Sequence, residues 1–339
     1  MKQSVQSKQD GQEYAGVVCS RAAILFALLA VAIACTRPAL ASADSSARVT
    51  VTDELGRTIE IVQPVQRMVS LAPSLTETIF ALGAGDRLVG DTDVCDYPAE
   101  ARTKPKVGGV VAPSLEAVVA LRPDLVLATT ALNPARVVDA LVRLGVPVYV
   151  TDPHTVRDVL DSTARLSKVI GAGDAGRALV ADLQARLDAV QRRLAGVPAR
   201  RVLFVVWAAP LISIGHHTFI TDALAWADAQ SVVESDKDWP EVSLEEMVRL
   251  QPEYLVIAGS YEEVGASSLA DLQSRPGWRD LEAVRDGRVA VVSDALARPC
   301  PRILDAIEEV ARSLHPEAYA SATPAPASGS LAPAARVTR

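Results

Sequence analysis

The sequence predicts an α/β protein of two Rossmann-like lobes joined by a single long α-helix, with a ligand cleft between the lobes. Three observations predict it. First, the chain repeats itself. Ser114-Leu115-Glu116 opens PSLEAVVALRPDLVLA and Ser243-Leu244-Glu245 opens VSLEEMVRLQPEYLVIA; Ser114 answers to Ser243, Glu116 to Glu245 and Pro123 to Pro252, a constant offset of 129 residues. A period of that size is a domain, not a solenoid unit. Second, short apolar runs alternate with helical patterns, the signature of a mostly parallel sheet covered by helices. Third, one uninterrupted helical pattern, Ala175 to Leu194, separates the halves.

Taken in order, Arg48 to Gln63 alternates apolar and polar residues about Leu55-Gly56-Arg57, a hairpin with Gly at its turn. Met68 to Leu71 is a short strand. Pro73-Ser74 starts a helix with Thr76, Glu77 and Thr78 in its first turn, ending at Leu82-Gly83. Arg87 to Gly90 is a strand, and Leu125 to Ala128 another after the first Ser-Leu-Glu helix. Val137 to Leu144 is helical, capped by Gly145, and Val146 to Val150 returns as a strand. Val156 to Ile170 keeps a helical period. The long helix follows, with Leu179, Val180, Leu183, Leu187, Val190 and Leu194 as its stripe, and Gly196 and Pro198 end it. It is roughly 30 Å long, the width of a domain. The second half restarts with strand Arg201 to Val206, then helix Thr221 to Trp226, the second Ser-Leu-Glu helix, strands Tyr254 to Ala258 and Val289 to Val292, and helix Ile303 to Leu314. The expected divisions are a leader at 1–43, an N-terminal lobe at 48–170, the connecting helix at 171–198, a C-terminal lobe at 199–316, and a disordered Ala/Pro tail at 317–339.

The chain has 339 residues, 49% of them hydrophobic, enough for two cores. Aromatics are only 4%, so each Trp or Tyr near a cleft carries weight. A formal charge of −7 without any basic block argues against a nucleic-acid surface. Residues 1–43 read as an export signal: Arg21 precedes the apolar run Ala22 to Ala34, which is too short to span a bilayer, and small-residue cleavage sites follow at Ala39-Leu40-Ala41 and Ala41-Ser42-Ala43. A retained anchor is the alternative, as is lipid attachment at Cys35, which follows Ala32-Ile33-Ala34. Removal of the leader leaves Cys95 and Cys300, for which an oxidising compartment permits a disulfide.

Ser114 and Ser243 are helix N-caps by position, which puts Glu116 and Glu245 second in their helices, with Glu246 placed to close a capping box. Each glutamate either complements its helix dipole or points outward to a partner that grips both lobes. The formal G-x-G-x-x-G at Gly171 to Gly176 follows a helical segment instead of a strand and lacks the acidic residue about 20 positions on, so it reads as a turn between helices. No H-E-x-x-H or G-x-S-x-G occurs, and no catalytic base-nucleophile constellation is apparent; the expectation is that the protein is not an enzyme. His216-His217 reads as an exposed turn pair, with haem ligation or pH sensing as its functional alternatives. Trp207 ends the first strand of the second lobe, and Tyr261 follows Tyr254 to Ala258. Ligands meet α/β sheets at such strand ends, which gives both residues a claim on the cleft; for Trp207 a place in the core is the alternative.

Together, Arg67-Met68-Val69-Ser70-Leu71-Ala72-Pro73-Ser74 with Thr76-Glu77, Asp96-Tyr97-Pro98, the first Ser-Leu-Glu with Leu121 to Val126, Trp239 to Glu245, and Arg298-Pro299-Cys300-Pro301-Arg302 resemble one family. It is the class of extracytoplasmic substrate-binding proteins of ABC importers for vitamin B12, haem and iron-siderophores. The resemblance covers about residues 48 to 316. It implies that Glu116 and Glu245 dock onto arginines of a permease dimer that carries its own ATPase subunits. It implies that Trp239 and Arg298 line the cleft with Tyr97 nearby; two further aromatic ligand positions of the cobalamin binders fall on Val110 and Thr129. It places the Cys95 and Cys300 loops near the cleft, one from each lobe. The expected cargo is a cobalamin-type corrinoid, with haem or a ferric siderophore as alternatives, bound by Tyr97, Trp207, Trp239, Tyr261 and Arg298. No resident cofactor or metal is implied. The expected form is an extracytoplasmic monomer with little lobe motion. An α/β enzyme using the same cleft, or a sensor that never meets a permease, are the competing readings.

Overall fold

Each half of the chain buries both faces of a four-stranded parallel sheet, and the alternation along the strands decides which side chain enters which layer. The computed structural model describes residues 47–259 and 262–320. The leader, Cys35, Tyr261 and the tail beyond residue 320 lie outside the described residues.

A hairpin opens the described chain, β1 (Ala47–Thr52) with β2 (Thr58–Gln63), turned at Gly56 with φ +76°. The first sheet is built from β3 (Met68–Ser70), β4 (Leu88–Gly90), β5 (Leu125–Thr129) and β6 (Val148–Thr151), ordered β4-β3-β5-β6. Helix α1 (Pro73–Ala81) follows β3, with proline in its first turn where no N–H is needed. Helices α2 (Leu115–Ala120) and α3 (Ala135–Arg143) complete the crossovers, and α4 (Val156–Val169) starts from a Thr155–Asp158 capping box. Met68, Leu125, Leu127 and Tyr149 pack on one face, Val69, Val126, Ala128, Val148 and Val150 on the other.

The long helix α5 (Gly173–Leu194) runs 22 residues. The second sheet then joins β7 (Arg200–Phe204), β10 (Ala229–Ser231), β11 (Tyr254–Ala258) and β12 (Val289–Val292) in the order β10-β7-β11-β12. A ribbon, β8 (Trp207–Ala208) with β9 (Leu211–Ile212), leaves β7. Helices α6 (Phe219–Trp226), α7 (Leu244–Leu250), α8 (Leu269–Ser274), α9 (Glu282–Arg285) and α10 (Ile303–Leu314) cover it. The two sheets share one topology, second strand, first, third, fourth.

The repeat holds down to the backbone. Arg122 and Gln251, the middle residues of the two Leu-x-Pro stops, both take left-handed φ, +47° and +43°; a following proline disfavours the helical conformation there. The acid after each proline ties the stop to the lobe's first strand. The Asp124 carboxylate accepts from the N–H groups of Gln66 and Arg67 at 2.9 Å each, and Glu253 accepts from Arg201 N–H at 3.4 Å.

Two boundaries differ from the sequence-based expectation. Helix α4 does not belong to the first lobe alone: Val156, Val159 and Leu160 lie in the second lobe's core, while Leu166 and Val169 lie in the first's. Asp222 of α6 seals the exchange by accepting from Val156 N–H at 2.7 Å. The expected tail also starts late. Pro316–Ala320 is a helical turn, α11, because Tyr319 packs on the core between the guanidinium groups of Arg193 at 4.7 Å and Arg312 at 5.9 Å. Gly171, with φ +72°, makes the turn between α4 and α5.

Candidate functional site

The carboxyl ends of β3, β5 and β11 face a cavity of about 370 Å³ between the lobes. Pro73 and Ser74 at the start of α1, with Ala131 and Leu132 after β5, form the first lobe's wall; Phe219, Trp239, Ala258, Glu263, Asp294, Ala297, Arg298 and Pro299 form the second's. This is where open α/β sheets take ligands. Asn133, buried, fixes the first wall: its amide N–H groups donate to the carbonyls of Leu71 and Val110 at 2.9 Å each, while its oxygen accepts from Thr129 N–H at 2.8 Å.

Trp239 is 53% exposed and enters the cavity. Its loop runs beside residues 211–215. Pro240 C=O accepts from Ser213 N–H and Asp238 C=O from Gly215 N–H, each at 3.0 Å, and Val242 N–H donates to Leu211 C=O at 2.9 Å. Gly215 permits this approach, because any Cβ there would overlap the Lys237 carbonyl oxygen.

The floor is a closed ring of four charges. Glu77 of α1 is 4% exposed. It accepts from Arg298 Nη1 at 2.7 Å and from Arg302 Nε at 2.8 Å and Nη2 at 3.0 Å. Asp294 closes the ring, at 2.7 Å from Arg298 Nη2 and 3.1 Å from Arg302 Nη1. Asp96 adds a third carboxylate to Arg298 at 3.3 Å. Burial opposes the charge on Arg298, but Glu77, Asp294 and Asp96 outweigh it and hold the group above its ordinary pKa. The spacing of Arg298 and Arg302, four residues apart, lets both converge on one carboxylate. Every contact Glu77 makes in this ring crosses from the first lobe to the second.

Cys95 and Cys300 are buried but not bridged, a correction to the disulfide expected as possible. Each thiol has its own partner on successive residues of α1: Thr76 Oγ1 donates to Cys95 Sγ at 3.2 Å, and Cys300 Sγ donates to Glu77 Oε2 at 3.1 Å. Burial raises both thiol pKa values, for Cys300 reinforced by the adjacent Glu77 charge, so both stay protonated.

Of the other expected ligand residues, Arg298 and Trp239 meet at the cavity, whereas Tyr97 and Trp207 do not line it. Tyr97 is exposed and lies under the Arg302 guanidinium, 4.1 Å from its ring centroid, in a second cavity of about 600 Å³ across the charge ring. Trp207 donates its indole N–H to Ala209 C=O at 2.8 Å and covers Gly265. Its position in the short β8 ribbon, beyond the end of β7, carries it off the sheet's carboxyl edge. Val110 flanks the Asn133 clamp, and Thr129 is buried at 1% exposure. His216 pairs with Glu234 at 2.8 Å and His217 lies 3.8 Å from Asp236, so both rings face carboxylates on an exposed turn. Glu116 and Glu245 are exposed in the first turns of α2 and α7, with no ion-pair partner among the described residues. Ser114 and Ser243 cap those helices as expected, at 3.2 and 3.4 Å. Glu246 turns to Arg249 at 3.4 Å instead of closing a box.

Sequence reasoning singled out Arg298 but not its partners. The signal for Glu77 was a carboxylate among Leu75, Ile79 and Phe80, in a helix too apolar to leave it in water. Asp294 carried no such signal, because its role depends on α1 from the other lobe.

Two matched lobes, a connecting helix and a cleft floored by charges shared between the lobes define a solute-binding protein. The profile described as periplasmic binding protein matches residues 68–296. The vitamin B12-binding protein of Vibrio parahaemolyticus is 30% identical over 251 residues, 73% of this chain and 89% of that one. The chain belongs to the periplasmic binding protein family. Its fold is similar to the crystal structure of the periplasmic vitamin B12 binding protein BtuF of Vibrio cholerae, with a TM-score of 0.66, 27% identity, and coverage of 76% of this chain and 98% of that one. It is also similar to the periplasmic heme-binding protein BhuT solved with two hemes, with a TM-score of 0.68, 27% identity, and coverage of 74% and 98%. Proteins of this family bind and deliver ligand instead of transforming it, as the sequence led us to expect.

Proposed function

We propose that this protein captures a cobalamin-type corrinoid outside the cytoplasm and hands it to an ABC import permease. The observation that carries the reading is the cleft itself. Trp239 is a large, half-exposed aromatic surface set beside Phe219 and Leu132, and Arg298 sits below it with a network of carboxylates. A broad apolar wall with few polar anchors suits a planar chelate, and two of the relatives named above are vitamin B12-binding proteins. Haem is the second reading, favoured by the likeness to BhuT. No His, Cys, Met or Tyr is among the described residues lining the cavity, so an axial ligand of the usual kinds to haem iron would have to come from outside them, Tyr261 included. We further propose that export uses residues 1–43, with lipid attachment at Cys35 as a variant of the same route, and that Tyr261 contributes to the cleft.

Calorimetric titration with cyanocobalamin tests the reading. Binding at micromolar or tighter, about −8 kcal/mol, is expected, and Trp239→Ala should weaken it at least tenfold, about 1.4 kcal/mol or more. Absence of heat at millimolar corrinoid would remove cobalamin as cargo.

Glu116 and Glu245 are proposed to dock the loaded protein onto the permease; exposed carboxylates steer encounter and orientation more than they add affinity. The double variant Glu116→Ala/Glu245→Ala should bind cyanocobalamin like the parent and lose uptake in cells. Undiminished uptake would assign the glutamates to their helix dipoles alone.

A further inference from the structure

The cleft has one cation among its described lining residues, and that cation is already occupied. Arg298 spends Nη1 on Glu77 and Asp96 and Nη2 on Asp294. Arg302, the other guanidinium of the floor, spends Nε and Nη2 on Glu77 and Nη1 on Asp294 and Ser293 Oγ, the latter at 3.1 Å. The remaining charged residues of the lining are carboxylates, Glu263 and Asp294. With Glu77 and Asp96, three carboxylates pair with the two guanidinium groups: Glu77, Asp96 and Asp294.

We infer that Glu77, Asp96 and Asp294 are specificity determinants that act as a charge filter: by occupying Arg298 they make the cleft select an electroneutral, amide-bearing chelate over a carboxylate-bearing one of similar size. The inference rests on the reading of the cleft as a chelate site and deepens it.

A ligand carboxylate on Arg298 either displaces a carboxylate already bonded at 2.7 Å, leaving it unpaired in a partly buried site, or takes a spare N–H and stands as a further anion beside Glu77, Asp96 and Asp294. It also enters a floor whose net charge repels it. Either cost is large on the scale of a single buried hydrogen bond to a charged group. An amide pays neither. Its carbonyl can accept an N–H left over from Arg298, whose five donors exceed the ion-pair contacts they make, and its N–H₂ can donate to Asp96 or Asp294 without breaking the ring. Asp96 is the adjustable member. Its side chain is 52% exposed, and it comes from the loop between β4 and α2, apart from the elements that carry Glu77 and Asp294. Repulsive groups placed against the wrong ligand discriminate as effectively as attractive ones placed for the right ligand.

The experiment measures dissociation constants of the full mature protein for three probes: cyanocobalamin, ferric haem, and ferric haem with both propionates converted to amides. The parent should bind amidated haem at least tenfold more tightly than haem. Asp96→Asn and Asp294→Asn should each shrink that ratio at least threefold, and together at least tenfold, with far-UV circular dichroism showing the fold intact. Asp96→Asn alone keeps the test open if the Asp294 variant misfolds. A parent that binds haem as tightly as its diamide overturns the filter. So does an amide preference that neither variant moves. Cyanocobalamin separates the two levels of failure: if it binds while the ratio is unmoved, the chelate reading stands and the filter falls; if none of the three probes binds, both fall.

Discussion

Asp91 shows how a single residue stiffens the loop that carries Asp96 and Tyr97. Its side chain is wholly buried, Oδ1 takes Lys106 Nζ at 2.8 Å, and Oδ2 has no partner among the described residues. Burial pushes its carboxyl from the ordinary 3.8 up to about 6, against the opposing pull of Lys106. The folded state therefore holds the proton more tightly than the unfolded chain. This group's contribution to stability falls as pH rises from about 4 to about 6, and the whole loss is present above that. Asp91→Asn keeps the shape and removes the titration, while Lys106 keeps the carbonyls of Cys95 and Ala101 as acceptors. Denaturant unfolding at pH 4.5 and 7 should show the variant gaining stability relative to the parent as pH rises. A difference that stays constant across that window would show that Asp91 does not titrate there. Nothing in the sequence marked Asp91. One of three aspartates within six residues after a strand, it looks like a turn residue until the neighbouring loop closes over it.

At the level of elements, the α4–α5 hairpin matters most. Gly176, read in the sequence as part of a glycine-rich turn, sits inside α5 where a Cβ would overlap the Ser167 side chain of α4. Gly176→Ala gains about 1 kcal/mol of helix propensity but must separate two packed helices, which typically costs about 1–3 kcal/mol. The expected net result is a lower midpoint of unfolding by denaturant; an unchanged or higher midpoint would mean that the hairpin tolerates a wider crossing. Most elements were legible in advance, and for a clear reason. Leu125 to Ala128, the α5 stripe and the paired Ser-Leu-Glu helices obey short periods that local sequence expresses. The short β8–β9 ribbon was not, because its two-residue strands carry no period, and Trp207 was misplaced with it. The charge ring was half legible. Arg298 was marked by the resemblance, but the pairing of Arg298 and Arg302 with Glu77 joins residues more than 200 positions apart.

Across the whole molecule, the lobes are held by α4, α5 and the ring around Glu77. Replacing one member of such a buried ion pair, as in Glu77→Ala, typically costs about 3–5 kcal/mol, because the arginines stay behind without compensation. With three ties in place, the parent should move little when ligand enters. Its small-angle scattering with and without ligand should superimpose, and Glu77→Ala should broaden the ligand-free distance distribution. A parent whose radius of gyration drops on binding would show a hinge that these ties do not restrain.

The division of α4 between two cores also bears on how such proteins can be recombined. A chimera that takes its second half from a relative and is cut in the glycine turn at residue 171 would pair a foreign core with Val156, Val159 and Leu160, side chains shaped for the original one. Moving the cut to Thr155 does not cure this, since the relative's counterparts of Leu166 and Val169 then meet a first lobe whose core is shaped for this chain's own side chains. Exchangeable units in this chain are therefore not its lobes but its rims: the Trp239 loop and the Asp96 loop can be traded between relatives while the helical hairpin is inherited whole.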